Sequence, residues 1–308
     1  MEHLQTALRS AGTNPQRLVF TTTAATAVVA LLAYSRHCYV AWHALGEGGI
    51  PHSPRGWLIN VFAHLIARRD PRAVPAPYEK TIPSSTSTST SNTTTTTTTA
   101  FNLSASEEAR YSPHAKTSYL KPLPPRSSPR PTVPGTVVPQ RQTSETATAS
   151  TVSRQNAYLS ALALSNPSLF TIKPSALESP KFTALWLSPS SSSSSPPPPG
   201  SEQVNLELAK WLPPQARGET AHVHHEGSTH ACLSLPDAAE VVRKGWGERH
   251  RMSGVGGMLP WGYVLLYAPR GEGKDGKSDW EVWKAVVVAA ARVVAKSAGF
   301  EGEIIVPE

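Results

Sequence analysis

Hydrophobic and polar positions divide this chain into one apolar run, a long stretch with no period, and a region of alternating elements. Leu18 to Tyr34, LVFTTTAATAVVALLAY, carries no charge and is flanked by Arg17 and Arg36. It has about the minimum length for a helix spanning a bilayer, and its threonines can bond back to their own backbone. A cleaved signal peptide is one rival reading. A mitochondrial presequence is another, because Glu2 is the only acid before residue 47. Arg36 and His37 follow the run with no small-x-small cleavage site, which favours an uncleaved, single-pass anchor of the endoplasmic reticulum. Arg55, Arg68, Arg69 and Arg72 outweigh Arg9 and Arg17, so the C-terminal side is expected in the cytosol. Trp57 to Ala67, WLINVFAHLIA, is too short to span; it reads as a helix in the membrane interface or packed on the domain.

Periodic pattern returns late in the chain. SRQNAYLSALAL (153–164) suits a helix, SPKFTALWLS (179–188) a strand, and SEQVNLELAKWL (201–212) a helix stopped by Pro213 and Pro214. In AHVHHEGSTHACLSL (221–235), Ala221 and Val223 alternate with His222 and His224, and Ala231, Leu233 and Leu235 alternate with His230, Cys232 and Ser234. Two strands of a hairpin follow. Pairing Val223 with Ala231 aligns the apolar faces, sets His224 opposite His230 and His222 opposite Cys232, and leaves the loop Glu226-Gly227-Ser228. Gly227 or Ser228 then takes the left-handed position.

PDAAEVVRKGWGERH begins a helix at Pro236, with Asp237 at its positive end, and stops it at Gly245. GWGERH is expected as a tight loop, and GYVLLYAPR as a buried strand ending at Arg270. SDWEVWKAVVVAAARVVAKSAG (278–299) predicts a helix with a Ser278/Glu281 capping box and a stop at Gly299. The expected fold class is α+β: a small, mostly antiparallel sheet backed by helices, preceded by a transmembrane helix and low-complexity linkers. The expected boundaries are an anchor at 1–40, a juxtamembrane segment at 41–82, a disordered Ser/Thr/Pro-rich linker at 83–131, and the α+β domain at 132–308 with a disordered insertion at 188–200.

Composition explains the long unpatterned stretch. Runs such as SSTSTSTSNTTTTTTT and SPSSSSSSPPPPG, in a chain with 29 prolines, cannot bury enough apolar surface to offset the entropy of ordering. Residues 1–200 hold 17 Lys/Arg against 8 Asp/Glu, and residues 201–308 hold 12 against 14. The net charge of +7 therefore sits in the N-terminal part, beside the expected bilayer partner, and the near-neutral C-terminal region does not suit nucleic acid. Two cysteines, Cys38 and Cys232, make no disulfide framework.

The candidate chemistry lies on the hairpin. His222, His224 and His230 on one face could chelate a divalent metal such as zinc or iron, although no carboxylate ligand is evident: Glu226 sits in the turn and Glu248 is remote. The same imidazoles could act as acid/base or substrate-contacting groups, or form a hydrated polar face. His225 is expected as an exposed turn residue. Arg249 and Arg270 could hold an anion or pair with Glu248 or Glu226, Trp246 could wall a flat ligand or plug the core, and Tyr267 could donate a proton or a buried hydrogen bond.

Three blocks in order, AHVH, EVVRKGWGERHRMSG and YVLLYAPRGE, resemble the fungal luciferase-domain family. Weaker similarity runs through PRGWLINVF (54–62), VVPQRQ (137–142) and SLFTIKPSALESPKFTALWL (168–187). The resemblance implies a membrane-anchored oxygenase-type enzyme acting with O2 on a small phenolic or α-pyrone metabolite, 3-hydroxyhispidin in luminous members, with no organic cofactor. The matching positions include His222, His224, Trp246, Arg249, His250, Tyr267 and Arg270. Among these, His222, His224, His250 and Arg249 are the expected catalytic residues, and Trp246, Tyr267 and Arg270 the expected substrate contacts. A metal-dependent enzyme and a non-catalytic ligand- or partner-binding module at the membrane remain the alternatives.

Overall fold

Why the apolar runs become these elements is clearest at the N-terminus. In the computed structural model, which describes residues 15–74, 78, 103–111, 113–187, 204–270 and 274–308, the first run forms helix α1 (Pro15–His43). Val19–His43 is long and apolar enough to cross a membrane by length and composition, a test that a signal sequence also passes. Val19, Phe20, Leu31 and Leu32 are exposed, but Trp42 is only 2% exposed. Its indole N–H donates to the Val138 carbonyl at 2.8 Å.

Helix α2 (Pro54–Ala63) begins at its proline and ends before the expected 67. One side docks on the body, where Asn60 Oδ1 accepts the Val137 and Val138 amides at 2.9 and 3.0 Å. Leu58, Ile59, Phe62, Leu65 and Ile66 stay exposed on and just beyond it.

The expected disordered linker 83–131 is corrected from residue 103 onward. Ser104 and Glu107 form a capping box on helix α3 (Ala105–Arg110), and Tyr111, Ala115 and Leu123 are buried. The buried Asp237 carboxylate accepts from Ser118 Oγ (2.7 Å) and from the amides of Tyr119 and Leu120. A proline-rich segment thus satisfies its backbone on a side chain of the domain instead of in a helix or sheet. The whole Ser/Thr run and the whole 188–200 insertion lie outside the described residues.

Helix α4 (Ala149–Ser165) is capped by Thr148 and starts four residues before the expected 153. Strands β1 (Phe170–Pro174), β2 (Thr183–Leu187), β3 (Glu219–Val223) and β4 (Thr229–Cys232) follow, then helix α5 (Leu235–Arg243), β5 (Gly247–Arg249), β6 (Tyr263–Leu266) and helix α6 (Lys274–Ser297). The six strands form one antiparallel sheet in the order β1-β2-β3-β4-β6-β5. Helices α4 and α6 pack on it, so the α+β architecture expected from the sequence is present.

Four local expectations change. No α-helix forms within the described part of 201–212, where Asn205 caps a short 3-10 turn at Leu206–Leu208 and Trp211 and Leu212 are buried. Helix α6 starts at Lys274, so Ser278 lies inside it and caps nothing; Gly299, at φ +90°, does stop it. GWGERH is not a loop, because its Gly247–Arg249 pairs with β6. The hairpin pairs Ala221 with Ala231, His222 with His230 and Val223 with Thr229, two residues away from the expected register. An even shift preserves the faces, since side chains alternate with period two. His224 and Ser228 close a loop of residues 225–227, with Gly227 at φ +91°.

Candidate functional site

Both faces of the hairpin are buried, which the alternating pattern did not predict: β3 and β4 are inaccessible along their whole lengths. The apolar face lies against the helices. The histidine face is closed over by the chain around Gln140 and Arg141 and by the loop after β1, which carries Glu178. His222, His224 and His230 gather there with ring centroids 4.7–5.2 Å apart. His250 joins at 5.4 Å from His230, with Tyr263 at 4.8 Å from the same ring.

Each of the three clustered rings is held at its outer nitrogen. A bulge between β2 and β3 at Leu185/Trp186 turns Glu219 onto the histidine face. There Glu219 Oε1 accepts from His222 Nδ1 at 2.7 Å, and the carboxylate also takes Ser175 Oγ and the Ala176 amide. Burial opposes ionisation of Glu219, but the hydrogen bonds from His222, Ser175 and Ala176 outweigh it and hold its pKa below the usual range. His224 Nδ1 is 2.8 Å from Ser228 Oγ, which donates to Glu226. His230 Nε2 is 3.2 Å from Gln140 Oε1, and Gln140 Nε2 donates to Glu248 and to the Arg249 carbonyl.

The inner nitrogens face one another and two charged groups. Arg141 Nη1 donates to His224 Nε2 at 3.1 Å, and its Nη2 to Glu178 Oε2 at 2.9 Å. One ligand atom from each of Glu178, His222, His224 and His230 lies within 4.8 Å of all the others, so these four residues could hold a metal ion. Burial first, then neighbouring positive charge including Arg141, pushes His224 and His230 well below the ordinary histidine pKa. The same causes bring His250 to about 3. These three rings are neutral at neutral pH.

A cavity of about 510 Å³ opens beside the cluster, lined by Gly46, Glu47, Phe182, Val223, His224 and His225 among others. Phe182 stands edge-on to His224, and the Arg141 guanidinium lies over the Phe182 ring at 5.0 Å. That volume lies within the range typical of small-molecule sites. His225 is exposed at the turn, as the sequence suggested.

Several expected site residues lie elsewhere. Arg249 turns its guanidinium to the carbonyls of Asp70 and Ala73. Arg270 clamps Asp279, within α6, through Nε (2.7 Å) and Nη2 (2.9 Å), not Glu248 or Glu226. Trp246 is buried, with its N–H on the Pro124 carbonyl. Tyr267 donates to Glu248 at 2.9 Å, the buried hydrogen bond that was one of its two readings. Among the described residues none of these four lines the cavity. Gln140, Arg141, Glu178 and Glu219 were missed. The first three stand in VVPQRQ and SALESPKF, blocks that the family resemblance covers; Glu219 reaches the site only through the bulge.

Residues 217–290 match the family model described as Luciferase domain. Over 61 residues the chain is 41% identical to proteins named luciferase from Neonothopanus nambi, Armillaria gallica and Armillaria mellea. That stretch is 19% of this chain and 23% of each relative, so the match spans about a quarter of their length. The resemblance to the fungal luciferase-domain family is borne out. No solved structure gives a significant match.

Proposed function

We propose that this chain, a member of the fungal luciferase-domain family through residues 217–290, is a membrane-anchored enzyme that adds O2 to a small phenolic or α-pyrone metabolite. The observation that carries the reading is the enclosed histidine–Arg141 centre opening on a cavity sized for such a ring. An enolisable substrate loses its O–H proton, and its ring carbon gives two electrons to O2 as the C–O bond forms. The released proton ends on the distal oxygen, so substrate and O2 combine one to one and no further reductant is needed.

Arg141 supplies positive charge for the enolate oxygen in a site shielded from water. His224, on the cavity wall, is the imidazole nearest the substrate.

Anchoring is supported by Trp42. Helix α1 runs unbroken from the apolar run to Trp42, whose buried indole is hydrogen-bonded to the body of the protein. The exposed apolar side of α2 suits the adjoining interface.

The test is O2 uptake and light emission by the full-length chain in membranes, across enolisable pyrones and phenols starting with 3-hydroxyhispidin. Uptake that falls about 100-fold or more in Arg141→Met supports the reading, the range seen when one oxyanion donor is removed. A folded protein that consumes no O2 with any of them sinks it.

A further inference from the structure

Hydrogen-bond polarity at the histidine centre leaves lone pairs facing lone pairs. Glu219 takes Ser175 Oγ and the Ala176 amide as well as His222 Nδ1, so the outer nitrogen of His222 is engaged and its Nε2 points inward. Gln140 Nε2 is committed to the Arg249 carbonyl and Glu248, so Gln140 Oε1 accepts from His230 Nε2 and leaves His230 Nδ1 as an acceptor. Ser228 gives its hydrogen to Glu226, so His224 donates from Nδ1 and presents Nε2. The fourth inward group, Glu178, places Oε1 3.6 Å from His230 Nδ1.

His222 Nε2 and His230 Nδ1 thus stand 3.3 Å apart with no proton assigned between them. That separation is also the edge of a tetrahedron around an ion bound at about 2.0–2.1 Å. We propose that Glu178, His222, His224 and His230 bind a divalent first-row transition ion through these inward atoms.

The outer partners Glu219, Gln140 and Ser228 are the kind that fix tautomer and ring angle in metal-ligating histidines. Three imidazoles and one carboxylate form a donor set that suits iron or zinc. Arg141 now fills part of this space, and its place in the bound state follows from two orphaned atoms. Arg141 Nε and Glu226 Oε2 are both buried without hydrogen-bond partners, 4.0 Å apart. A small swing of the guanidinium toward Glu226 pairs them and uncovers His224 Nε2, the ligand on the cavity wall. The inference deepens the proposed function and rests on it for the substrate alone. An enolate oxygen entering from the cavity would reach the ion beside His224.

The test strips the full-length, detergent-solubilised chain with a chelator and titrates it with cobalt(II), reading visible absorption and metal content. One cobalt per chain with bands of nitrogen-rich coordination is expected. Affinity should fall about 10–100-fold in Glu219→Gln, which removes no ligand but loosens the hold on His222 Nδ1. It should fall further in His222→Gln and His230→Gln, with near-UV circular dichroism verifying the fold of each. A folded wild type that binds no cobalt, or binding indifferent to both histidine variants, overturns the inference. O2 uptake by a wild type that binds no cobalt overturns it and leaves the proposed function standing. Cobalt bound at these residues, with no O2 uptake by the iron(II)- or zinc(II)-loaded chain, upholds the site and refutes the proposed function.

Discussion

The buried neutral rings make the stability of the metal-free protein depend on pH with a definite sign, and His250 gives the cleanest measure. Its folded pKa of about 3 lies below the unfolded value near 6.5. Between those values the unfolded chain binds the extra proton. The contribution is therefore fully present above about pH 6.5 and is lost as pH falls toward 3. Taking the chain from pH 7 to pH 5 costs about 1.9 kcal/mol for this one ring. His224 and His230 are shifted in the same direction and add to the loss. His250→Asn isolates one ring: its side-chain oxygen can still accept the Met252 amide, which His250 Nδ1 accepts at 3.1 Å, but it does not titrate. Urea unfolding of the chelator-treated chain, followed by tryptophan fluorescence at pH 7 and pH 5, gives the loss for each protein. Groups common to both cancel in the comparison. The variant should lose about 2 kcal/mol less than the parent. Equal losses would mean that His250 is already protonated in the folded state, and the account of a neutral imidazole centre would fail.

Two further perturbations address the scaffold. Gly227→Ala puts a Cβ 2.4 Å from the Ala147 Cβ at a backbone φ of +91°; left-handed strain and overpacking together should cost about 2–4 kcal/mol. Differential scanning calorimetry should show a fall in Tm of roughly 5–15 °C, and an unchanged Tm would mean that the hairpin turn is not built this way. Asp237→Ala removes the acceptor for Ser118, Tyr119 and Leu120 and should cost about 2–4 kcal/mol. Limited proteolysis should then cut near those residues well before the core, whereas a digestion pattern identical to wild type would detach them from the domain.

How much of the fold was legible follows from what each element needed. Helices α4, α5 and α6 and strands β2, β4 and β6 declare themselves by apolar period, and α5 and α6 also by Pro236, Gly245 and Gly299 at their ends. Residues 103–131 do not, because nothing in their pattern says that Asp237 will accept their amides. Ser278 looked like a cap because local sequence shows only that a helix can start there; the backbone starts it at Lys274. The hairpin register was off by two because Ala221 and Val223 are both small apolar residues and either can face Ala231.

For the site the limit is of another kind. The three histidines on one strand face were readable from alternation alone, and the even register error did not move them off that face. What alternation cannot supply is the lid. Arg141 and Glu178 lie 83 and 44 residues before His224 and His222, in segments whose own pattern is irregular, and only tertiary packing brings them over the sheet. The carboxylate sought near the turn was therefore looked for in the wrong place. Glu226 and Glu248 both take part, but one step back, holding Ser228 and Gln140, which in turn hold two rings. Arg249 and Arg270 looked like anion holders because arginines at strand ends are well placed for that. Each is instead spent on the carbonyls of Asp70 and Ala73 or on Asp279, and among the described residues the guanidinium facing the imidazoles comes from a proline-rich stretch that composition alone would assign to a linker. The geometry of this centre thus depends on a segment with no secondary structure. A substitution such as Gln140→Leu, which removes the acceptor for His230 Nε2, should disturb the centre more than most changes in the sheet beneath it.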